Sequence, residues 1–251
     1  MADHSMMKLG KKAARHDART LKLSDYLDPS LNPPDTSDWA SKMSNLGMML
    51  NDSLGDCTCA GAGHLIQQWS AANGSQIIVP DSDILKAYQA VGGYVPGDSS
   101  TDNGAVEIDV LKYWQKTGIG GYKIGAFVSI NPKNKKHLQL ANAFFGGAYF
   151  GIALPVTAQT QEVWTMPDGG LTGDGAPGSW GGHAVPMGAY DLDGLTVITW
   201  GQEKKATWDF VSEYCDEAYC IISPEWTDGT KPAPSGFNLT QLQSDLAGVQ
   251  N

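Results

Sequence analysis

From Thr58 to Ala72 the chain places Cys59, Ala62, Leu65, Ile66 and Trp69 at helical spacing. Gly55-Asp56 stands just before, with turn and cap chemistry. The pattern predicts a second helix over 81–91, with Asp81 or Asp83 as its cap. A third runs through 104–116, where Val106, Val110, Leu111 and Trp114 share a face. After about residue 118 the texture changes. Tyr122 to Ile130 reads as a strand, and Lys135 to Phe144 as one further helix. Ala148 to Val156 is a nearly continuous apolar run of strand length. Residues 165–182 are rich in glycine and read as a loop. Ala184 to Tyr190, Leu195 to Trp200 and Ala218 to Ile222 read as strands, with a helix between the last two at about 207–216. Residues 237–249 carry a short amphipathic helix signal. Helices first and strands later predict an α+β fold, not alternating βαβ units.

The bulk numbers narrow this picture. The chain has 251 residues and 41% hydrophobic content, enough for a sizeable core. The net charge of −10 disfavours a nucleic-acid partner. Lys8, Lys11, Lys12, Arg15, Arg19 and Lys22 nevertheless crowd the N-terminus. A solvated tail is the simpler reading of them; an arm that docks on an acidic partner is the sharper one. No stretch has the length of a membrane span, and the N-terminus lacks the apolar core of a signal peptide. A cytoplasmic or virion-associated protein is expected, with neither membrane nor nucleic-acid partners.

Cys57 follows Gly55-Asp56 and opens an apolar-periodic helix. A thiol at a helix N-terminus faces the positive end of the dipole, which favours thiolate. Free N–H groups there suit a developing oxyanion. The neighbouring Asp56 opposes this by raising the thiol pKa. Among five histidines, His183 opens an apolar strand after the glycine-rich loop, a position that suits a general base. A plain strand-end histidine satisfied by hydrogen bonds is the alternative on spacing alone. His64, two turns along the Cys57 helix, cannot readily reach the sulfur. Cys-x-Cys and Cys-x4-Cys match metal spacings poorly, so no metal and no cofactor are expected. Cys59 is assigned to the core, and Cys215 and Cys220 to a structural turn. Trp39, Trp69, Trp114 and Trp208 have core-like positions, leaving Trp164, Trp180 and Trp200 as cleft candidates.

Three stretches resemble the papain-like cysteine peptidases. Pro33-Pro34, Asp38-Trp39 and Asn51 to Cys57 look like the start of such a domain, with Asn51 in place of the family's oxyanion Gln. Gly182-His183-Ala184-Val185-Pro186-Met187-Gly188-Ala189-Tyr190 resembles the family's histidine strand. Its distance from Cys57 is close to the roughly 130 residues expected. Thr199-Trp200-Gly201 is similar to Asn-Ser-Trp-Gly, where the Trp shields the histidine. The Asp102-Asn103-Gly104 turn falls in the family's order. The resemblance covers roughly 33–223 and implies a helical N-terminal lobe (about 51–118) and an antiparallel β lobe (about 119–225) with a cleft between. Residues 1–32 would be a basic extension, 33–225 the domain, and 226–251 a tail with a short helix.

The resemblance implies a peptidase or amide hydrolase acting on peptide or protein substrates. Cys57 would be the nucleophile, His183 the base and then acid, Asn51 the oxyanion donor and Thr199 a weak orienter. Trp180, Trp200 and Gly182 would line the substrate cleft. The departures are specific. The orienting Asn is absent: ungapped counting from His183 puts Thr199 there, while anchoring on Trp200 puts Ile198. The aromatic residue after the cysteine is Thr58. The roughly 30 residues before Pro33 are far fewer than the usual proregion, so that form of latency is not expected. Acyl transfer by the same pair is one alternative. Another is a catalytically weak scaffold, similar to bacterial and phage-encoded proteins, whose basic arm serves an oligomer or virion.

Overall fold

The computed structural model describes residues 3–227 and 232–249. Its elements in chain order are β1 (Ser37–Asp38), α1 (Cys57–Ala72), α2 (Asp81–Gly92), α3 (Glu107–Lys116), β2 (Ala126–Ile130), α4 (Lys135–Phe145), β3 (Ala148–Leu154), β4 (Val163–Trp164), β5 (Gly181–Tyr190), β6 (Gly194–Thr199), β7 (Gln202–Thr207), α5 (Trp208–Tyr214), β8 (Cys215–Ile222), α6 (Pro224–Thr227) and α7 (Leu239–Val249). The sheet runs β2-β8-β3-β5-β6-β7-β4, with β1 added to β5. Every pairing is antiparallel except β4 with β7. This is the α+β organisation expected, helices first and strands after. Among the described residues no helix is long and apolar enough to cross a membrane. Part of the expected tail, at 228–231 and 250–251, lies outside the described residues.

Two buried clusters form the core. One joins α1, α2 and α3 through Leu65, Ile84, Tyr88, Val110, Leu111 and Trp114. The other fills the sheet, α4 and α5 through Phe150, Val185, Val197, Phe210 and Tyr214. Helix α1 lies between them and is buried from Cys57 to Gln68. Close packing there requires small residues. A methyl at Gly61 would meet Tyr149 at 2.9 Å, and one at Gly63 would meet Met49 at 2.5 Å.

Several expectations need correction. Strand β7, Gln-Glu-Lys-Lys-Ala-Thr, lies in a stretch to which the sequence pattern assigns no element. Its charges hide a period-2 pattern in which Lys204 and Ala206 face inward. Trp200 (φ 48°) and Gly201 (φ 70°) make the tight hairpin turn that pairs it with β6. Asp81 and Asp83 do not cap α2; Pro80 holds the cap position and both aspartates lie in the first turn, facing the helix dipole. The third helix starts at Glu107, because the φ of 72° at Gly104 places a turn ahead of it. Trp164 is core, fully buried and stacked on Phe210 at 5.7 Å, so it is not a cleft residue. Trp114 is fully buried, Trp69 and Trp208 pack half-buried against the core, and Trp39 is half-buried.

The basic N-terminus divides. Lys8, Lys12, Arg15, Arg19 and Lys22 are exposed, whereas Lys11 is buried. Beyond Lys12 the extension follows α3, where Arg15 pairs with Asp109 and Lys112 with Asp17 at 2.7 Å. It then enters the sheet core through Leu23 and Tyr26.

Candidate active site

Cys57 is the first residue of α1, after Asp56 at the N-cap. That position leaves its own N–H without an intrahelical acceptor. The expected side-chain cap is not made: the Asp56 carboxylate is buried beside the Asn51 amide, which acts to lower its pKa, but burial outweighs this and holds it well above the usual range. The Cys57 sulfur accepts the Ala184 N–H of β5 at 3.4 Å, and the nearby Gly10 N–H also acts to lower its pKa. The structure therefore brings the Cys57 helix against the His183-Ala184 strand, as the spacing suggested. Cys59 is fully buried in the helical core.

His183 is fully buried, registered opposite Ile152 of β3. Its Nε2 lies 2.6 Å from the Thr199 hydroxyl, and Trp200 stacks on the ring at 4.4 Å. Of the two alignments, Thr199 rather than Ile198 reaches the imidazole. The other ring nitrogen, Nδ1, has no hydrogen-bond partner. When Nε2–H donates to Thr199, Nδ1 carries the lone pair a general base needs. A hydroxyl also donates, however, so Thr199 holds the ring in place without fixing its tautomer.

Asn51 is buried beside Cys57. Its Nδ2 donates to the Leu54 carbonyl at 3.1 Å and reaches the Lys8 carbonyl at 3.5 Å. One amide proton thus braces the loop, and the second points at a peptide carbonyl of the N-terminal segment. Asn51, Cys57, Ala184, Thr199 and Trp200 line one small cavity, joined by His64. His64 is turned into its own helix, with Nδ1 3.4 Å from Gln67.

Residues 8–12 pass beside that cavity, with the Lys8 carbonyl against both Asn51 and Trp200. Gly10 accepts the Ala105 N–H at 2.8 Å, Lys12 donates to Ala105 at 2.9 Å, and Lys11 donates to Gly182 at 3.0 Å. The segment is thus held as an extended peptide by both lobes. Trp200 Nε1 donates to the Lys8 carbonyl, and His4 stacks on the same indole at 5.2 Å. Trp180 packs on Trp200 at 5.6 Å. The fit is backbone on backbone. A methyl at Gly10 would lie 1.7 Å from the Gly55 oxygen, and one at Gly182 would lie 2.2 Å from the Lys11 oxygen. Asp102 sets the facing wall, accepting the Gly55 N–H at 3.0 Å and the Tyr88 hydroxyl at 2.6 Å. The Gly10 carbonyl oxygen is turned to Ala105, whose N–H it accepts.

Burial decides the charge state of the closed site. Loss of water pushes the Cys57 thiol up to about 12, aided by Asp56 and Glu107, against the two N–H donors. It pushes His183 down to about 3. With the segment seated, both groups are neutral at pH 7.

Beside Gly182 the Lys11 side chain runs into a second buried site. Its Nζ lies 2.9 Å from Asp216 and 3.0 Å from Glu217. Glu107 faces the same space fully buried, with neither carboxylate oxygen hydrogen-bonded. Sequence patterning missed this group. Glu107 sits in the first turn of α3, where an exposed carboxylate is ordinary, and Asp216-Glu217 follows Cys215 in what reads as a turn. The only available signal was a basic cluster in an acidic chain.

The helix-borne cysteine, the facing histidine strand and the antiparallel sheet define a papain-like fold. Solved structures bear this out. Xylellain, a cysteine protease from Xylella fastidiosa, superposes with a TM-score of 0.67 at 16% identity, covering 89% of this chain and 98% of that one. Digestive procathepsin L 3 of Tenebrio molitor larval midgut gives 0.59 at 10% identity over 87% and 77%. The Carica candamarcensis cysteine protease CMS1MS2, in complex with E-64, gives 0.51 at 13% over 76% and 99%. No protein-family model matches the sequence, and neither does any curated protein. At these identities the likeness shows the fold.

Proposed function

We propose that the protein is a papain-like cysteine peptidase or amide hydrolase that is held latent by residues 8–12. Cys57 is the nucleophile. His183 takes its proton and later delivers it to the leaving amine. Thr199 holds the far ring nitrogen, and Asn51 with the Cys57 N–H receives the oxyanion. The observation that carries this reading is the junction of Cys57 with β5. The sulfur accepts the Ala184 N–H at 3.4 Å, while Thr199 and Trp200 brace the adjacent imidazole at 2.6 and 4.4 Å. Trp180 and Gly182 form the cleft wall along which a substrate backbone runs, as Lys11 does now. When the segment leaves, water returns and both pKa values move toward their ordinary ranges, which permits a thiolate–imidazolium pair.

E-64, bound in the Carica candamarcensis neighbour, supplies the test. The Gly10→Val chain, whose segment cannot seat, is treated with it across pH 5–9 and mapped by mass. An adduct at Cys57 that disappears in Gly10→Val/His183→Ala is expected. No adduct at any pH, or one indifferent to His183, would sink the reading.

A second reading is favoured by the replacement of the orienting Asn with Thr199. The domain would then serve binding or assembly, in an oligomer or a virion, with little turnover. The burial of Lys11 within its own chain weighs against the basic arm as the docking element. Size-exclusion chromatography of the intact chain and of Lys11→Glu separates the two, since an assembly arm would alter the oligomeric state.

A further inference from the structure

The Lys11 side chain fills a pocket that the catalytic groups do not need. Its floor is Gly151, at a β-bulge where the register of β3 with β8 shifts. A methyl at Gly151 would lie 2.0 Å from Lys11 Cε, 2.6 Å from Glu217 Cγ and 2.8 Å from Glu107 Oε2. The missing side chain is therefore the space the lysine stem occupies. Asp216 and Glu217 hold the ammonium. Tyr219 donates to Glu217 at 2.9 Å and fixes it.

The charge balance points beyond Lys11. Three carboxylates surround a single ammonium, and Glu107 is buried with both oxygens unpartnered. Buried carboxylates cost stability unless a cation meets them. An apolar or acidic occupant would leave the two buried carboxyl groups, Glu107 and Glu217, facing no positive charge, while Asp216 keeps its contact with solvent. Meanwhile the backbone on either side is recognised without regard to sequence, through Ala105 and Gly182. That division, main chain for grip and pocket for choice, is how extended peptides are read.

We propose that the Glu107–Gly151–Asp216–Glu217 pocket selects substrate, taking a lysine or arginine side chain of an extended peptide, and that Lys11 occupies it as a stand-in. This rests on the peptidase reading above. An arginine guanidinium, with its five donors, also offers partners to the oxygens of Glu107 that Lys11 leaves unmet.

Two full-length hosts test this. Lys11→Ala empties the pocket; Gly10→Val unseats the segment and leaves every pocket residue in place, which covers the case in which Lys11→Ala folds poorly. Dye-labelled pentapeptides matching residues 9–13, with lysine or methionine at the central position, are titrated and read by fluorescence anisotropy. Binding needs no turnover. The lysine peptide is expected to bind about tenfold tighter or better. Adding Glu217→Gln should cut that preference by about threefold or more. Equal affinities in both hosts, or a preference that Glu217→Gln leaves intact, overturn the proposal. Hydrolysis of matching fluorogenic peptides forms the separate arm. A chain that binds the lysine peptide selectively and cleaves nothing keeps the pocket and loses the peptidase reading. A chain that cleaves without preferring basic residues does the reverse.

Discussion

Two buried polar sites lie side by side under residues 8–12, and they solve burial in opposite ways. Around Cys57 and His183 the segment contributes hydrogen bonds and no charge. Desolvation prevails there, and thiol and imidazole are both neutral. Around Glu107, Asp216 and Glu217 the segment contributes an ammonium. Desolvation alone would lower the Lys11 pKa, yet Glu217, Glu107 and Asp216 together outweigh it and raise it. One covering peptide thus keeps a thiol and an imidazole neutral and completes an ion cluster. What it supplies, rather than how deeply it buries, sets the outcome.

The comparison breaks most sharply at Gly10. Valine there cannot pass the Gly55 oxygen, so the cover lifts from both sites at once. Iodoacetamide labelling of Cys57 at pH 7 should rise at least about a hundredfold over the intact chain, since a thiol near 12 exposes far less thiolate than one near ~8.5. Cys59, Cys215 and Cys220, all buried, should stay slow. Equal labelling of Cys57 in the two chains would mean that residues 8–12 do not seal it.

Acid acts on one site first. Lys11 lowers the pKa of Glu107 and of Glu217 relative to a pocket without it, although burial leaves both raised above the ordinary glutamate value. By linkage the Lys11 contribution to docking is strongest above those raised values, where both glutamates are ionised, and fades as pH falls through them. Trypsin cleavage after Lys11 or Lys12 should accelerate about tenfold or more on acidification, beginning above the pH at which an exposed glutamate titrates. In Glu217→Gln the profile should flatten. A rate that follows only the protease's own pH dependence would remove the ion cluster from the account of closure.

The smallest effect is expected at Thr199. Thr199→Val keeps the shape and leaves His183 Nε2 buried without a partner, costing about 1–3 kcal/mol of stability. The melting temperature of the closed chain should fall by a few degrees. In the Gly10→Val background, turnover should fall by about tenfold, because the imidazole loses its brace. Unchanged melting and turnover would show the contact to be idle.

The frame of the site was readable because its parts sit on regular elements. Cys57 announces itself by a turn followed by helical periodicity, and His183 by a glycine-rich loop followed by an apolar strand. The choice between Ile198 and Thr199 was beyond sequence, since both are buried at the end of β6 and only the sheet geometry decides which meets the ring. The cover was harder still. Residues 8–12 carry no periodicity, and what docks them is backbone hydrogen bonding to Ala105 and Gly182, which no side-chain pattern reports. β7 escaped because its charged residues obscure an alternation that becomes evident only beside β6. Trp164 misled because an indole in a short segment looks the same whether it faces solvent or core.

Gly10, Gly55 and Gly104 meet with no side chain between them: a methyl on Gly104 would lie 2.0 Å from the Gly10 oxygen. Position 10 consequently admits one amino acid. Lys11 and its carboxylates can be retuned in steps, through arginine, glutamine or a shift in pH. Position 10 has no intermediate setting, because even the smallest replacement, alanine, already collides. In the space of sequences around this chain, closure has a dial at one residue and an on–off lever at its neighbour.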